Sequence, residues 1–444
     1  MKTPDELKIL HITPHMGGGV GRVISGISAS DGASHSIVLL EEPTSLHFVN
    51  AAMDSGAAVF IKPCHAELVR KVDEADVVIA HWWHNPNLAK FLAHFPPSPA
   101  RLVIWSHISN LTVPALSPGF LNQASMVWFT TPASYSAEIF SGLQQDMLME
   151  KSAIVYGCAG LDDFPDLPRQ AHNGFNIGYL GLLDHSKLHP DYVAFCKAVN
   201  ISSAHFILAG DGGSHDKLKD LMHRHIPESA VTFHGYIKDV PTLLSSFDVF
   251  GYPLMPHHTC TTENVILEAM ALRVPPVLLD QLTERYIIKD GETGLLVSGP
   301  EEYGKAMRYL FENPEERLKM GERARSHVIE KYSRVRMQEC FYSAIERVMA
   351  QPKRCMDFSE CTGKTPSDWF VSCLGRDRSC FSSSLCAGLS GQTSEMMEMI
   401  LGCSPLLRGE NKGSVFQYAR AFRDDNMLTA WADIMKEASY AKRN

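Results

Sequence analysis

No stretch of the sequence approaches the roughly 18 consecutive apolar residues that suggest a membrane span. Met1 to Leu10 lacks the basic start and long apolar centre of a secretory signal and carries Asp5, Glu6 and Lys8 instead. Basic excess is missing as well. A formal net charge of −9 leaves no whole-protein field for nucleic acid, so no nucleic-acid partner is expected. The eleven cysteines contain no Cys-x-x-Cys pair. Six of them (Cys355, Cys361, Cys373, Cys380, Cys386 and Cys403) fall within the last ninety residues. Without an export signal they are expected to be reduced thiols, and their spacing matches no zinc pattern. The expectation is a cytoplasmic protein with no metal site.

What is present is an ordinary globular balance of 45% hydrophobic and 20% charged residues over 444 positions, too long for one core. Leu7–Thr13, His35–Leu40, Ala58–Ile61, Asp76–His81, Arg101–Ser106 and Ser125–Thr130 read as strands bounded by Gly, Pro, Asp or Ser. Several are apolar throughout, as in a parallel sheet covered on both faces, and helical segments separate them. The pattern breaks at Asp162 to Asn173, read as a linker, and restarts with Asn176–Leu180, Ala204–Ala209, Ala230–His234, Val249–Tyr252, Pro276–Leu279 and Gly294–Val297. This predicts an α/β protein of two doubly wound domains, 1–165 and 166–350, facing across a cleft at the carboxyl ends of their strands. Residues 351–444, rich in Cys and Ser and then helical near Thr393–Leu401 and Val415–Tyr440, form an extension of unassigned role.

Two segments carry candidate chemistry. His15-Met16-Gly17-Gly18-Gly19-Val20-Gly21-Arg22 follows the first strand and enters a helix. Backbone N–H groups of Gly17, Gly18 and Gly19 at a helix start suit a phosphate, and a tight turn that needs glycine for its own geometry is the other reading. The loop is not the dinucleotide fingerprint, and no acidic residue closes the second strand, so a dehydrogenase is disfavoured. The second segment runs from Tyr252 through Thr259-Cys260-Thr261-Thr262-Glu263-Asn264-Val265 to Glu268 and Ala271. Thr262 is expected to cap the helix, with Glu263 in its first turn. Glu268 sits among apolar residues, where a carboxylate either faces solvent or is held for a purpose, such as a grip on two ribose hydroxyls. If both were helical, Glu263 and Glu268 would lie about 140° apart around the axis, so sharing a ligand requires Glu263 to belong to the loop.

On these residues the chain resembles the group 1 glycosyltransferases (family 4, retaining, GT-B fold) over roughly residues 8 to 350. The likeness rests on Asn264–Ala271, Lys289-Asp290-Gly291-Glu292-Thr293-Gly294-Leu295-Leu296-Val297, Leu208-Ala209-Gly210-Asp211-Gly212 and Phe233-His234-Gly235-Tyr236, in this order and spacing. The resemblance implies that Glu268, aided by Asn264 and Val265, holds the donor ribose and that Gly17, Gly18 and Gly19 face the donor diphosphate. It implies that Lys187 neutralises phosphate and that His107, closing the run Leu102–Trp105, lies near the transferring sugar. His81, ahead of Trp82-Trp83-His84, either lines the acceptor side or packs in an aromatic cluster.

Three departures stand out. The first glutamate of the family's paired-glutamate motif falls on Cys260, the arginine normally following Gly181 is Leu182, and the glycine ahead of Asn264 is Glu263. A thiol does not accept hydroxyl hydrogen bonds as a carboxylate does, so either Glu263 substitutes from a shifted position, as a catalytic residue along with His107, or donor binding has changed. The implied reaction is hexosyl transfer, with retention, from a UDP- or GDP-linked sugar to an acceptor hydroxyl in glycan or glycoconjugate biosynthesis. It needs no metal or cofactor, and the acceptor is a glycan or a lipid-linked sugar. A peripheral membrane contact through Pro118-Gly119-Phe120-Leu121 or Met126-Val127-Trp128-Phe129 is a lesser expectation. The alternatives are an epimerase or phosphorylase on the same architecture, and an inactive binding or scaffolding protein in which Cys260 and Leu182 are relics.

Overall fold

The computed structural model describes residues 6–29, 32–157, 161, 164–184, 187–212, 215–256, 258–387, 398–404, 407, 409 and 413–441. Asp162 and Asp163 of the expected linker, residues 393–397 of an expected helix and Lys412 lie outside the described residues. Two compact units form: Met1–Gly157 together with Gln338–Asn444, and Cys158–Met337.

The first unit holds a seven-stranded sheet. Its strands are β1 (Lys8–Thr13), β2 (Ser34–Leu39), β3 (Ala58–Ile61), β4 (Val77–Trp82), β5 (Leu102–Ser106), β6 (Met126–Phe129) and β7 (Ser152–Ile154), in the order β3-β2-β1-β4-β5-β6-β7. All pairs are parallel. β4, β5 and β6 are buried at every position, which explains their unbroken apolar runs. The second unit repeats the plan with β8 (Phe175–Leu180), β9 (Ala204–Ala209), β10 (Val231–Phe233), β11 (Val249–Tyr252), β12 (Pro276–Leu279) and β13 (Leu295–Val297), ordered β10-β9-β8-β11-β12-β13. In each sheet the order reverses beside the first strand, between β1 and β4 and between β8 and β11. Doubly wound sheets place ligands at such a point, outside the carboxyl ends of the strands.

The expected boundaries differ from these units in one instructive way. Residues 351–444 are not a separate body but part of the core of the first. Trp369, Phe370, Phe381, Tyr418, Leu428 and Trp431 are buried in one cluster with Trp82, Leu88, Phe91, Ile104 and Phe129. The helices Pro366–Ser372 and Val415–Ala421 both pack on the helix Pro86–Ala93. Arg354 ties the segment down by donating to the carbonyls of Asn122, Gln123 and Ala124 at 2.5–2.7 Å, the unsatisfied end of the helix Gly119–Gln123. The long helix expected over 415–440 is two, Val415–Ala421 and Asn426–Ala441. Asp425 causes the break: its Oδ1 accepts from the N–H groups of Met427 and Leu428, and its Oδ2 from Ser367.

Phe120, Leu121, Met126, Val127, Trp128 and Phe129 are fully buried, so neither segment proposed for membrane contact offers a surface. They are apolar because they fill the core. No described helix is long and apolar enough to cross a membrane. Cys64, Cys196, Cys260, Cys340, Cys355, Cys361, Cys373, Cys380 and Cys403 are free thiols, and burial pushes the Cys373 thiol up to about 12.

Candidate functional site

In the second unit, the loops after β8 and β11 meet at the point of strand reversal. The first carries Lys187 and the second Glu263, 76 residues apart in sequence. Lys187 Nζ donates to Glu263 Oε2 at 2.8 Å and to Oε1 at 3.1 Å, and Tyr252 Oη, at the end of β11, donates to Oε2 at 3.1 Å. The helix begins at Asn264, with Glu263 at its N-cap in a non-helical conformation (φ 19°, ψ 90°). Thr262 therefore does not cap it. Glu263 occupies that position, and its carboxylate is turned to Lys187 and Tyr252 rather than to the helix amides. Glu263 belongs to the loop, the condition on which it can share a ligand with Glu268.

Backbone contact fixes the neighbouring loops. Leu183 N–H donates to Asp211 O at 3.0 Å, and Gly210 N–H to Gly235 O at 2.7 Å. A Cβ on Gly210, at φ +129°, would sit 1.9 Å from Gly181 O, so only glycine lets these loops approach.

Burial raises the Glu263 carboxyl, but the Lys187 ammonium and its hydrogen bonds outweigh this and hold it at about 2. Burial likewise lowers Lys187, and the Glu263 charge carries it above its ordinary value. Cys260 is pushed up by burial and by Glu263, so it is a neutral thiol beside a charged pair. His258 Nδ1 accepts from Cys260 N–H at 3.1 Å, which puts the ring proton on Nε2. That nitrogen lies 3.0 Å from Glu284 Oε1, an ion-pair distance but off the hydrogen-bonding angle.

Along the helix Asn264–Ala271, Glu268 is 9% exposed, between the buried Leu267 and Ala269. Asn264 Oδ1 is a buried acceptor without a hydrogen-bond partner. Such a group costs free energy until a donor reaches it. Val265 is half-buried in the same turn. Leu182 is exposed, so the position normally holding arginine offers no charge to this site.

In the first unit the glycine loop follows β1. The helix Gly18–Ser28 starts within it, so Gly18 and Gly19 are its first turn and Gly17 its N-cap. Gly18 has φ +60°, and no atom lies within 4 Å of a Cβ built on it. Its requirement is conformational, not spatial. The N–H of Gly17 is taken by His15 Nδ1 at 3.0 Å, whereas Gly18 and Gly19 are exposed. The two glycines thus keep both earlier readings: the turn needs Gly18, and both residues at the helix start are exposed.

His107 follows β5, its N–H donating to Trp82 O at 2.8 Å. Burial lowers its imidazole to about 3. Its Nε2 lies 2.9 Å from His81 Nδ1. His81 in turn leads to His11 and His35, residues that reading by motif missed. A usable signal existed. A histidine flanked by apolar residues in a strand, as at position 11, has two ring nitrogens to satisfy away from water.

The donor-side residues Lys187, Glu263, Asn264, Val265 and Glu268 are thus gathered in the second unit, and Gly17–Gly19 and His107 stand in the first. Among the described residues no cluster of His, Cys, Asp or Glu has the arrangement to hold a metal ion.

Residues 169–327 match the family model described as Glycosyl transferases group 1. The alpha-D-kanosaminyltransferase of Streptomyces kanamyceticus is 30% identical over 132 residues, covering 29% of this chain and 33% of that protein. The lipopolysaccharide core biosynthesis glycosyltransferase LpsE of Rhizobium meliloti (strain 1021) is 27% identical over 136 residues, 30% of this chain and 39% of that protein. The chain thus spans little more than a third of the length of these curated relatives. In fold it is similar to Anabaena Alr3699/HepE in complex with UDP, with a TM-score of 0.62 at 18% identity over 77% of this chain and 100% of that one. Sucrose-phosphate synthase (tll1590) from Thermosynechococcus elongatus gives 0.58 at 14% identity over 78% and 100%. The architecture of two doubly wound sheets is the GT-B fold of these structures.

Proposed function

We propose, from the match of residues 169–327 to the glycosyl transferases group 1, that this chain moves a hexosyl group from a nucleoside-diphosphate sugar to an acceptor hydroxyl, with retention and without a metal, in glycan biosynthesis. The observation that carries the reading is the Lys187–Glu263 pair at the strand reversal of the second sheet, at the foot of the helix bearing Glu268. That is where a doubly wound sheet takes its ligand.

In this reading Glu268 grips the ribose hydroxyls, and the orphaned Asn264 Oδ1 receives a donor from the nucleotide or sugar, with Val265 packing beside it. The leaving diphosphate develops negative charge, so the rate depends on oriented donors that meet it. Lys187 has three N–H donors and uses its short contacts on the two Glu263 oxygens, so one remains for phosphate. Its charge is offset by Glu263, and Leu182 supplies none. The exposed glycines Gly18 and Gly19, at a helix start in the first unit, are further candidate donors to a phosphate. Glu263 takes over from Cys260 the task of receiving sugar hydroxyls, and His107 stands by the transferring sugar.

UDP is the first nucleotide to test, because it occupies the Anabaena protein of the same fold. Calorimetry with UDP and GDP, and thermal denaturation with their sugar conjugates, checks the reading. A ligand at a hundred times its dissociation constant adds about 2.7 kcal/mol of stability. Binding of one nucleotide, lost in Lys187→Ala and Glu268→Ala, is the expected result. Absence of binding by both nucleotides would overturn it in favour of a scaffolding role.

A further inference from the structure

Four histidines on neighbouring strands of the first sheet are joined ring to ring. His35 Nδ1 lies 2.9 Å from His11 Nε2, His11 Nδ1 3.0 Å from His81 Nε2, and His81 Nδ1 2.9 Å from His107 Nε2. The register builds this file. Ile9 stands opposite His35, His11 opposite Ile79, and His81 opposite Trp105. Each histidine is therefore two residues further along than its neighbour, on the same face, and the file climbs diagonally to the carboxyl end of β5. Ring centroids are 5.2–5.3 Å apart, with planes 13–30° from parallel. With nitrogens this close, such spacing describes rings meeting edge to edge, not face to face.

Every link uses the Nδ1 of one ring and the Nε2 of the next, always in the same sense. Each link needs one proton, and a neutral imidazole has only one to give. Four neutral rings then have just two fully bonded arrangements. In the first, all carry the proton on Nε2, and His107 presents a bare Nδ1. In the second, all carry it on Nδ1, and His107 presents an N–H. Any mixture leaves a link with two protons or none, which is costly among buried groups. The two arrangements interconvert only when a proton enters at one end nitrogen and another leaves at the opposite end. Burial disfavours charge along the file: it lowers His11 and His81 well below the ordinary histidine value, with neighbouring histidines adding to the effect, and lowers His107 as well.

We propose that His35, His11 and His81 are positioning residues that act with His107 as one tautomer relay, so that whether His107 Nδ1 accepts a hydrogen bond from a ligand hydroxyl or donates one to it is set jointly by all four rings. The sense of the file makes the protonation of β2 decide what is offered at the end of β5, three strands away. Use of that nitrogen by a sugar hydroxyl rests on the transferase reading. The relay does not.

The test is nitrogen NMR of the ligand-free full-length protein labelled with ¹⁵N-histidine. Four neutral rings that all carry the proton on the same ring position, with scalar couplings across the three N–H···N links, are expected. Replacing His11 by Phe cuts the file and leaves His81 Nε2 against an apolar ring. The surviving His81–His107 pair is then released from the tautomer of His35 and His11, and the His107 tautomer ratio should shift by about tenfold or more. An unchanged His107 in folded His11→Phe would overturn the relay. So would mixed tautomers or a missing coupling in the wild type, a measurement that needs no variant. Because no nucleotide is present, the outcome is independent of whether UDP or GDP binds.

Discussion

The two units share a strand order and a point of reversal, yet they equip that point with opposite electrostatics. The second unit places a charged pair there, Lys187 on Glu263, and retains both charges because each is the other's partner. The first places exposed glycine amides after β1 and neutral imidazoles on the adjoining strands. One backbone plan thus accommodates two ways of handling polarity. Charges are kept where solvent still reaches the lysine, which is 31% exposed, and uncharged groups are used where the sheet is sealed.

The largest expected effect tests what seals the first sheet. Ending the chain after Ala350 removes Trp369, Phe370, Phe381, Tyr418 and Trp431 from its core. At roughly 1.5–3 kcal/mol for each such side chain, the loss is as large as the roughly 5–15 kcal/mol that holds a domain together. The first unit should lose its cooperative melting and become protease-sensitive, while residues 158–337 persist as a resistant fragment. A truncated chain with an unchanged melting profile would show that the two units do not differ in this way.

Acid should separate the units next. His84 and His107 are lowered by burial to about 3, against roughly 6.5 when unfolded. Their folded forms resist protons that the unfolded chain accepts, so stability is full above about 6.5 and falls on acidification, by about 1.4 kcal/mol per pH unit for each ring. Glu263, held at about 2, contributes stability above its ordinary value near 4.3 and loses it only as the pH drops toward 2. Hydrogen exchange from pH 7 to 4 should show the first unit opening before the second.

Within the second unit, Lys187→Ala leaves the Glu263 carboxylate partly buried without its cation. A loss of about 1–3 kcal/mol, read by denaturant titration, is expected, below the figure for a fully buried pair because Lys187 is partly solvated. Smallest is Glu263→Gln. Removing the carboxylate frees the lysine charge, so UDP or GDP should bind about fivefold more tightly, on the order of 1 kcal/mol, by calorimetry. Transfer should slow in the same variant. Weaker nucleotide binding would show instead that Glu263 holds the donor directly.

Much of this plan was legible in the residues. The unbroken apolar runs of β4, β5 and β11 announced buried parallel strands, and the glycines after β1 announced the tight helix entry. β7 was missed because Ser152-Ala153-Ile154 is too short and too mixed to show a period. The meeting of Lys187 and Glu263 could be suspected only from resemblance, since contacts between distant loops leave no local pattern. The fate of residues 351–444 was hidden for a related reason. Their helices have apolar faces, but a face does not name the surface it will cover. The histidine file depended on register, which alternation within one strand cannot supply.

The second unit is an insertion in the sequence of the first, and this has a consequence for how the chain is made. Emerging from the ribosome, residues 1–157 hold all seven strands of their sheet but lack the helices that pack over Pro86–Ala93, which are encoded after position 338. Residues 158–337 emerge later and contain everything their own sheet requires. Synthesis therefore reverses the usual N-terminal-first order, with the middle of the polypeptide maturing first. The opening third must wait, with the apolar face of its helix Pro86–Ala93 uncovered, until those later helices have been translated.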